Sequence, residues 1–234
     1  MKVLITEPQD YSLKAIEMYK SLGEVVLGGE PTADVEVIAI RLKNKIDSSW
    51  MDKMPNLKII ASPTTGLNHI DVAEAEKRGI KLVTLRGHTS FLDKITSTAE
   101  ETLGLILALA RKIPQAHAHV MGGGWNRDLF KGYQLAGQTL GILGLGRLGR
   151  MVARSGLALG MKVTAADPNV SVEEMKNQGV QKVGHDELFQ NSDILSLHVM
   201  LTDDTKNLVK ERDLKLMKPT AYLINTSRGP IVDE

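Results

Sequence analysis

The chain has 234 residues, enough for two domains, and 42% of them are hydrophobic, which allows real cores. Its 29 basic and 28 acidic residues give a formal net charge of +1, without the basic excess expected of a nucleic-acid-binding protein. The absence of cysteine excludes a disulfide framework and thiolate chemistry, and neither a signal peptide nor a bilayer-spanning apolar stretch is recognisable. We therefore expect a cytoplasmic protein with no nucleic-acid or membrane partner.

The N-terminal part alternates short β-branched runs with helix-like segments, which predicts βαβ units around a parallel sheet. The predicted strands are Lys2–Ile5, Val35–Ile40, Lys58–Ala61 and Lys81–Val83. The predicted helices are Ser12–Leu22, Ser48–Met54 and Asp71–Arg78. We take residues 1–97 as one α/β unit.

The loop at residues 62–71, SPTTGLNHID, lies between a predicted strand and a predicted helix. Thr65 and Gly66 would offer backbone N–H groups at the start of that helix, a position suited to a small carboxylate. The alternative is a simple connection in which Asp71 caps the helix, and the residues alone favour neither interpretation.

A helix is predicted from about Ser97, with Ser97 or Thr98 as its cap and Glu100 and Glu101 in its first turn. Its predicted buried face consists of Leu103, Ile106, Leu107 and Ala110. The helix is hydrophobic nearly all round, as expected of one that joins two domains or is covered by a partner subunit. Residues 121–133 include three consecutive glycines and predict a surface connection.

The most informative segment is Thr139–Asp167, TLGILGLGRLGRMVARSGLALGMKVTAAD. Gly144, Gly146 and Gly149 follow an apolar strand at the start of a helix, and Asp167 closes the next apolar run about twenty residues later. In a dinucleotide-binding loop these glycines permit a tight turn, the approach of backbone to pyrophosphate, and close helix packing. Asp167 would accept hydrogen bonds from the ribose hydroxyls and repel a 2′-phosphate, which favours NAD over NADP. The alternative is an ordinary glycine-rich βαβ turn.

Further strands are predicted at Lys162–Ala166, Ile194–Leu197 and Ala221–Ile224. Helices are predicted near Val172–Asn177, Asp186–Gln190 and Lys210–Met217. The turn Asn225–Pro230 follows the last strand, at the sheet edge where ligands bind in open α/β folds. Arg228 in this turn could clamp a carboxylate through two parallel hydrogen bonds and polarise an adjacent carbonyl. The alternative is a solvated arginine in a turn.

The chain resembles the D-isomer-specific 2-hydroxyacid dehydrogenase family, which includes D-3-phosphoglycerate dehydrogenase, in six segments: PTTGLNHID, TAEETLGLILALAR, GQTLGILGLGRLGR, VTAADP, HVMLTDDT and LINTSRGPIVDE. The resemblance implies a flavodoxin-like N-terminal substrate domain in residues 1–97 and an incomplete NAD-binding Rossmann domain in residues 98–234. It also implies an NAD-dependent oxidoreductase that interconverts a 2-keto acid and a D-2-hydroxy acid by hydride transfer. A full-length protein of this family would be a homodimer.

By resemblance, Arg228 would be catalytic, because it holds the substrate carboxylate and polarises the keto group. Thr65 and Gly66 would bind the same carboxylate. The resemblance assigns the remaining cofactor contacts, beyond the three glycines, to Arg147 and Leu148 at the pyrophosphate, Asp167 at the ribose, and Val199, Thr226, Ser227 and Arg228 on the nicotinamide side.

The family's catalytic histidine and its paired carboxylate follow the Arg228 motif, beyond the last residue, Glu234. We therefore expect residues 1–234 to be a C-terminally truncated form that binds NAD weakly and catalyses little or nothing alone. His69 is the nearest substitute acid–base, although a structural role is favoured, and His198 is expected to be structural on the cofactor side. No metal site is expected, since no histidine pair has ligand spacing with a matching carboxylate.

Two alternative functions stay open from the sequence. One is a non-enzymatic, NADH-responsive binding protein, like the transcriptional corepressors that share this fold. The other is an NADP-linked glyoxylate or hydroxypyruvate reductase, against which Asp167 argues. No basic cluster near residues 62–71 indicates a phosphorylated substrate.

Overall fold

The computed structural model describes residues 1–234, which divide into two compact units, Met1–Leu92 and Asp93–Glu234. Each unit is built around a five-stranded sheet in which every strand pair is parallel, so the predicted α/β class is confirmed. None of the helices combines the length and the apolar character that crossing a bilayer requires.

The first unit has its strands in the order β2-β1-β3-β4-β5, which is the flavodoxin-like order. The strands are β1 (Lys2–Ile5), β2 (Glu24–Leu27), β3 (Val37–Ala39), β4 (Ile59–Ser62) and β5 (Lys81–Thr84). The helices are α1 (Leu13–Lys20), α2 (Ser48–Asp52), α3 (Val72–Lys77) and α4 (Thr89–Leu92), with a 3-10 turn at Pro8–Asp10.

Both faces of this first sheet are covered, as the alternation of side chains along β1 shows. Val3 and Ile5 pack in one core cluster with Ile16 of α1, whereas Leu4 packs in the opposite cluster with Met51 of α2. Each of these side chains is buried, and burying one aliphatic side chain contributes about 1.5–3 kcal/mol. The unit is therefore a doubly wound sheet with helices on both sides.

The second unit has the strand order β10-β9-β6-β7-β8, which corresponds to five strands of the Rossmann order. Its strands are β6 (Thr139–Leu143), β7 (Lys162–Ala166), β8 (Gln181–Lys182), β9 (Ile194–Leu197) and β10 (Tyr222–Asn225). Its helices are α5 (Ser97–Ala110), α6 (Ile113–Met121), α7 (Arg147–Ala158), α8 (Val172–Lys176), α9 (His185–Asn191) and α10 (Glu211–Leu216). Two 3-10 turns lie at Arg127–Phe130 and Gly229–Ile231.

Four of the strands and helices were not predicted from the sequence: β2, β8, α4 and α6. Strand β2 lies at a sheet edge with half-buried and exposed residues, and β8 has only two residues, so neither gives a strong apolar pattern. Helix α6 contains Pro114 in its first turn, where the missing N–H would have no intrahelical partner in any case. The proline thus starts the helix rather than breaking it.

Helix α5 begins at Ser97, as predicted, and Ile106 and Ala110 of the predicted face are buried, but its cap and the rest of its buried face differ. Its N-cap is Thr96, so the prediction of Ser97 or Thr98 is wrong. Leu103 is half-buried and Leu107 is 36% exposed, contrary to the predicted face. The buried residues of α5 are Ala99, Thr102, Ile106 and Ala110.

A buried carboxylate joins two loops at the edge of the first sheet. Glu7, just after β1, is 1% exposed and accepts backbone N–H bonds from Arg41 at 3.0 Å and Lys43 at 2.8 Å, in the loop after β3. The Thr6 hydroxyl also donates to it. Burial by itself raises the pKa of Glu7, but these hydrogen bonds to the charged form outweigh burial and hold the pKa below its usual value. Glu7 therefore stays ionised and fixes the loop after β3.

Because the folded-state pKa of Glu7 is lowered, its stabilising contribution is present above the unfolded pKa, near 4.3, and is lost as pH falls through the folded pKa. We expect Glu7→Gln to lower the free energy of unfolding by about 1–3 kcal/mol at pH 7. The difference from the native protein should shrink below about pH 4. Urea unfolding between pH 3 and 7 measures this, with the exposed Glu76→Gln as control. A difference independent of pH would contradict the assignment.

Candidate functional site

The glycine loop after β6 is required partly by the protein's own packing. Gly144 has φ +90°, and a Cβ on it would lie 2.9 Å from the carbonyl oxygen of His198. A Cβ on Gly149 would lie 2.2 Å from the carbonyl oxygen of Gly144, which brings the first turn of α7 against the loop. A Cβ on Gly146 would contact nothing within 4 Å. Gly144 and Gly149 thus serve the fold, whereas the open space at Gly146 suits the approach of a ligand.

The start of α7 presents backbone donors beside this open space. Gly146 is the N-cap and provides no side-chain cap, and the first bond along the helix runs from the Arg150 amide to the Gly146 carbonyl at 3.0 Å. The amides of Leu148 and Gly149 precede that bond, at the positive end of the helix dipole. Arg147, the first residue of α7, donates from Nη1 to the Ile95 carbonyl at 3.0 Å. This arrangement fits a pyrophosphate.

The peptide groups of Leu145 are held from two sides. Its N–H donates to Asp167 Oδ2 at 2.8 Å, and its carbonyl accepts from Arg150 Nε at 3.0 Å. Arg150 is in turn paired with Glu174, with Nη2 and Oε1 2.6 Å apart. The loop is therefore preorganised by a carboxylate and a guanidinium. Arg150 was missed from the sequence, because no local pattern distinguishes it from other cations of an amphipathic helix.

Asp167 follows β7 and is half-buried. Besides the bond from Leu145, its Oδ1 accepts from the Asn169 amide at 2.8 Å. A carboxylate has about four acceptor positions, so both oxygens can accept further hydrogen bonds. Asp167 is thus placed one strand away from the glycine loop, with capacity left for ribose hydroxyls.

The end of β9 contacts the glycine loop where the chain order of the sheet reverses, the position at which open α/β sheets bind ligands. A Cβ on Gly144 would lie 2.8 Å from Val199 Cγ1, so Val199 borders the loop. The neighbouring His198 has Nε2 2.8 Å from the Oγ of the buried Ser196. Burial lowers the pKa of His198 to about 4, so its ring is neutral near pH 7.

The turn after β10 is closed by the side chain of Asn225. Its Oδ1 accepts from the Ser227 amide at 3.0 Å and the Ser227 hydroxyl at 2.7 Å, while its Nδ2 donates to the Arg228 carbonyl at 2.9 Å. Arg228 is exposed and donates from Nη1 to the Ser227 carbonyl at 2.7 Å. Thr226 Oγ1 lies 2.8 Å from Thr102 Oγ1 on α5. The ends of β6, β9 and β10 thus bring the predicted cofactor residues to one edge of one sheet.

The loop with Thr65 and Gly66 lies at the corresponding edge of the first unit, after β4. It is not at the start of a helix, as the sequence suggested, because α3 begins only at Val72. Asp71 caps α3 by accepting from the Glu74 amide at 3.0 Å. Any carboxylate bound by this loop would therefore contact loop amides without the dipole of a helix.

Hydroxyl groups support this loop from inside. The buried Ser62 has Oγ 2.8 Å from Thr64 Oγ1, and Thr64 donates to the Gly66 carbonyl at 2.9 Å. His69 Nε2 lies 3.4 Å from Ser62 Oγ, so the ring borders the same network. Thr65 itself is exposed.

One group of potential metal ligands lies elsewhere, between α9 and α10. The ligand atoms of His185, Asp186 and Asp213 are within 4.8 Å of one another. Arg212 already pairs with both carboxylates, with Nη2 2.5 Å from Asp186 and Nε 3.2 Å from Asp213. The cluster is accounted for by these ion pairs.

Comparison with protein families gives two matches that together cover nearly the whole chain. Residues 3–120 match the catalytic domain of the D-isomer specific 2-hydroxyacid dehydrogenases, and residues 103–234 match their NAD binding domain.

Individual relatives agree with the family matches. The chain is 35% identical to D-3-phosphoglycerate dehydrogenase of Methanocaldococcus jannaschii, with all of the chain and 45% of that protein covered. It is 36% identical to glyoxylate reductase of Thermococcus litoralis, with 99% of the chain and 73% of that protein covered. The D-lactate dehydrogenase from Aquifex aeolicus, solved with NAD and lactic acid, superposes with a TM-score of 0.85 at 30% identity, covering 100% of this chain and 71% of that one.

The chain thus spans less than half the length of one relative and about three quarters of the others. The glycine loop, the preorganised Leu145 peptide and Asp167 lie within the part that matches the NAD binding domain. The chain belongs to the D-isomer specific 2-hydroxyacid dehydrogenase family, and its second unit is the NAD-binding part of that family's fold.

Proposed function

We propose that the protein is an NAD-dependent oxidoreductase that interconverts a small 2-keto acid and a D-2-hydroxy acid. The observation that carries this proposal is the placement of Arg228 at the sheet edge that also holds the glycine loop and Asp167. We assign residues 1–97 to the substrate domain and 98–234 to the NAD-binding domain. When bound, NAD supplies the hydride acceptor or donor.

The residues of this chain bind and orient the two reactants. The amides at the start of α7 would hold the pyrophosphate beside Gly146. Asp167 would accept hydrogen bonds from the ribose hydroxyls, and Val199 would border the nicotinamide. Thr226 and Ser227 would also line it through the turn they form. The half-buried carboxylate of Asp167 would repel the 2′-phosphate of NADP, since like charges about 4 Å apart near a protein surface cost a few kcal/mol.

We assign Arg228 to the substrate carboxylate, and by family resemblance we also assign Thr65 and Gly66 of the first unit to substrate binding. A guanidinium can form two parallel hydrogen bonds to a carboxylate and at the same time polarise the neighbouring keto oxygen. In the family that this chain resembles, proton transfer to that oxygen is the role of a histidine and a carboxylate that follow the arginine motif, and residues 1–234 include neither. His198 does not suit this role, because it is half-buried, neutral near pH 7 and bonded to Ser196.

Reduction of 2-keto acids tests the proposal. We expect NADH-dependent turnover of glyoxylate, hydroxypyruvate or 3-phosphohydroxypyruvate by a chain that includes the family's histidine and carboxylate, which residues 1–234 lack. NADH should be preferred over NADPH by about tenfold or more, and Asp167→Ala should narrow that preference. Arg228→Lys should lower kcat/KM by about 100-fold, since lysine cannot form the bidentate contact, while the Kd for NADH changes little. Fluorescence titration measures the Kd values for NADH and NADPH, and steady-state kinetics measures kcat/KM for the 2-keto acid. Tighter binding of NADPH, or full activity of the Arg228 variant, would contradict the assignment.

The support of the Leu145 peptide by Arg150 gives a second prediction. Arg150→Met removes the donor to the Leu145 carbonyl and the pairing with Glu174, so the glycine loop loses one of its two supports. We expect NADH affinity to fall about three- to tenfold, because a partly exposed charged hydrogen bond is worth about 1 kcal/mol. Arg154→Met, one turn further along α7 and exposed, is the matched control. Equal NADH affinity in both variants would mean that Arg150 does not organise the loop.

We also propose a homodimer in the cytoplasm, where the NAD pool that such an enzyme uses is found. The dimer is supported by large apolar residues that are exposed on the second unit, among them Leu105, Leu107 and Leu109 of α5, and Trp125, which is 93% exposed. A helix that exposes leucines on several sides is as expected of one covered by a partner subunit.

The dimer is tested by sedimentation. We expect the mass of two chains, and a shift toward one chain with Leu107→Glu, because a buried charge at an interface is costly. Leu13→Glu, at an exposed leucine of the first unit, should leave the mass unchanged. A monomeric native protein would refute the dimer without affecting the proposed reaction.

A further inference from the structure

Helix α5 carries a polar residue on its buried face. Thr102 is 0% exposed, at a position where the apolar pattern of the helix gives no reason for a threonine. Its Oγ1 donates to the Thr98 carbonyl, four residues earlier, at 2.8 Å. This is the usual way for a threonine to satisfy its hydroxyl within a helix. The single hydroxyl proton of Thr102 is therefore engaged in the hydrogen bond to Thr98.

The second contact of Thr102 crosses 124 positions of sequence to the turn after β10. Thr226 Oγ1 lies 2.8 Å from Thr102 Oγ1. Since the proton of Thr102 is directed at Thr98, Thr226 must be the donor of this bond. The hydroxyl of Thr226 is therefore turned toward α5.

This bond differs from the others in the turn. Every other side-chain hydrogen bond of residues 225–228 is made within the turn itself, by Asn225 and Arg228. Those bonds determine the shape of the turn, but they do not fix its position relative to the helix that packs beside β10. The Thr226 bond to Thr102 supplies that connection.

We propose that Thr102 is a positioning residue for Arg228. Its buried hydroxyl fixes the start of the turn against α5, and the rigid turn then determines where the guanidinium is presented. Because this role presupposes the carboxylate-binding function proposed for Arg228, its test needs a structural measurement as well as a kinetic one.

The decisive variant is Thr102→Val, which keeps the shape of the side chain and removes the acceptor. We expect faster amide hydrogen exchange in a peptide covering residues 225–231, with little change in β6. We also expect kcat/KM for a 2-keto acid to fall about 10- to 100-fold, since small displacements of a substrate-binding group are costly, while the KM for NADH stays within about threefold. Thr102→Ser should restore both properties, because it keeps the hydroxyl.

The chain offers a matched control. Thr164 in β7 is also buried, but its hydroxyl has no hydrogen-bond partner. Thr164→Val removes a buried hydroxyl from the same unit and should alter neither exchange in residues 225–231 nor kcat/KM. If it produced the same changes as Thr102→Val, the effect would reflect general core destabilisation and the proposal would be wrong.

A double-mutant cycle distinguishes loss of the hydrogen bond from poor folding of a single variant. Thr226→Val removes the donor from the other side, and its effect should not add to that of Thr102→Val if the two hydroxyls act through one bond. Additive effects would overturn the proposal. Unchanged exchange in Thr102→Val would also overturn it, whether or not the protein reduces 2-keto acids. In a chain that includes the family's histidine and carboxylate, faster exchange without any 2-keto acid reduction would support the positioning role and refute the proposed reaction instead.

Discussion

The contact between Gly149 and Gly144 is the constraint on which the cofactor site depends. A Cβ on Gly149 would lie only 2.2 Å from the Gly144 carbonyl oxygen. Helix α7 can therefore begin at Arg147 only if residue 149 is a glycine. With α7 beginning there, the backbone N–H groups of its first turn lie beside the open space at Gly146. The hydrogen bonds on Leu145 then keep the loop in place, so little ordering is left to occur when a dinucleotide binds.

The parts of the fold that the sequence predicts well are those whose burial is complete. Strands β7 and β9 match their predicted bounds, because continuous apolar runs define parallel strands covered on both faces. The edge strand β2 gives no such signal. Helix α5 shows a different failure: Leu107 is exposed while Thr102 is buried, because a hydroxyl bonded within its helix costs little to bury.

In the candidate site, spacing along the chain predicts the glycine loop and Asp167, since those residues act through local backbone geometry. Arg150, Thr102 and Glu7 were not predicted, because each acts through a contact that the local pattern does not encode. Thr102 reaches its partner over 124 positions, and Glu7 reaches Arg41 over 34. Thr65 and Gly66 were misplaced at a helix start because residues 67–71 intervene, including Ile70, which forms a bridge to Ile46.

The two units share one physical device but use it differently. In each, a carboxylate that follows a strand accepts amides from the loop after a neighbouring strand: Glu7 takes those of Arg41 and Lys43, and Asp167 takes that of Leu145. The buried Glu7 occupies the amides of Arg41 and Lys43, so those two donors are not available to an anion from outside. Asp167 binds the Asn169 amide beside it but, within the glycine loop, only the amide of Leu145, so the amides of Leu148 and Gly149 at the start of α7 stay available at the open space. The two hydrogen bonds on Leu145, from its amide to Asp167 and from Arg150 to its carbonyl, therefore order the glycine loop without consuming the donors that the pyrophosphate needs.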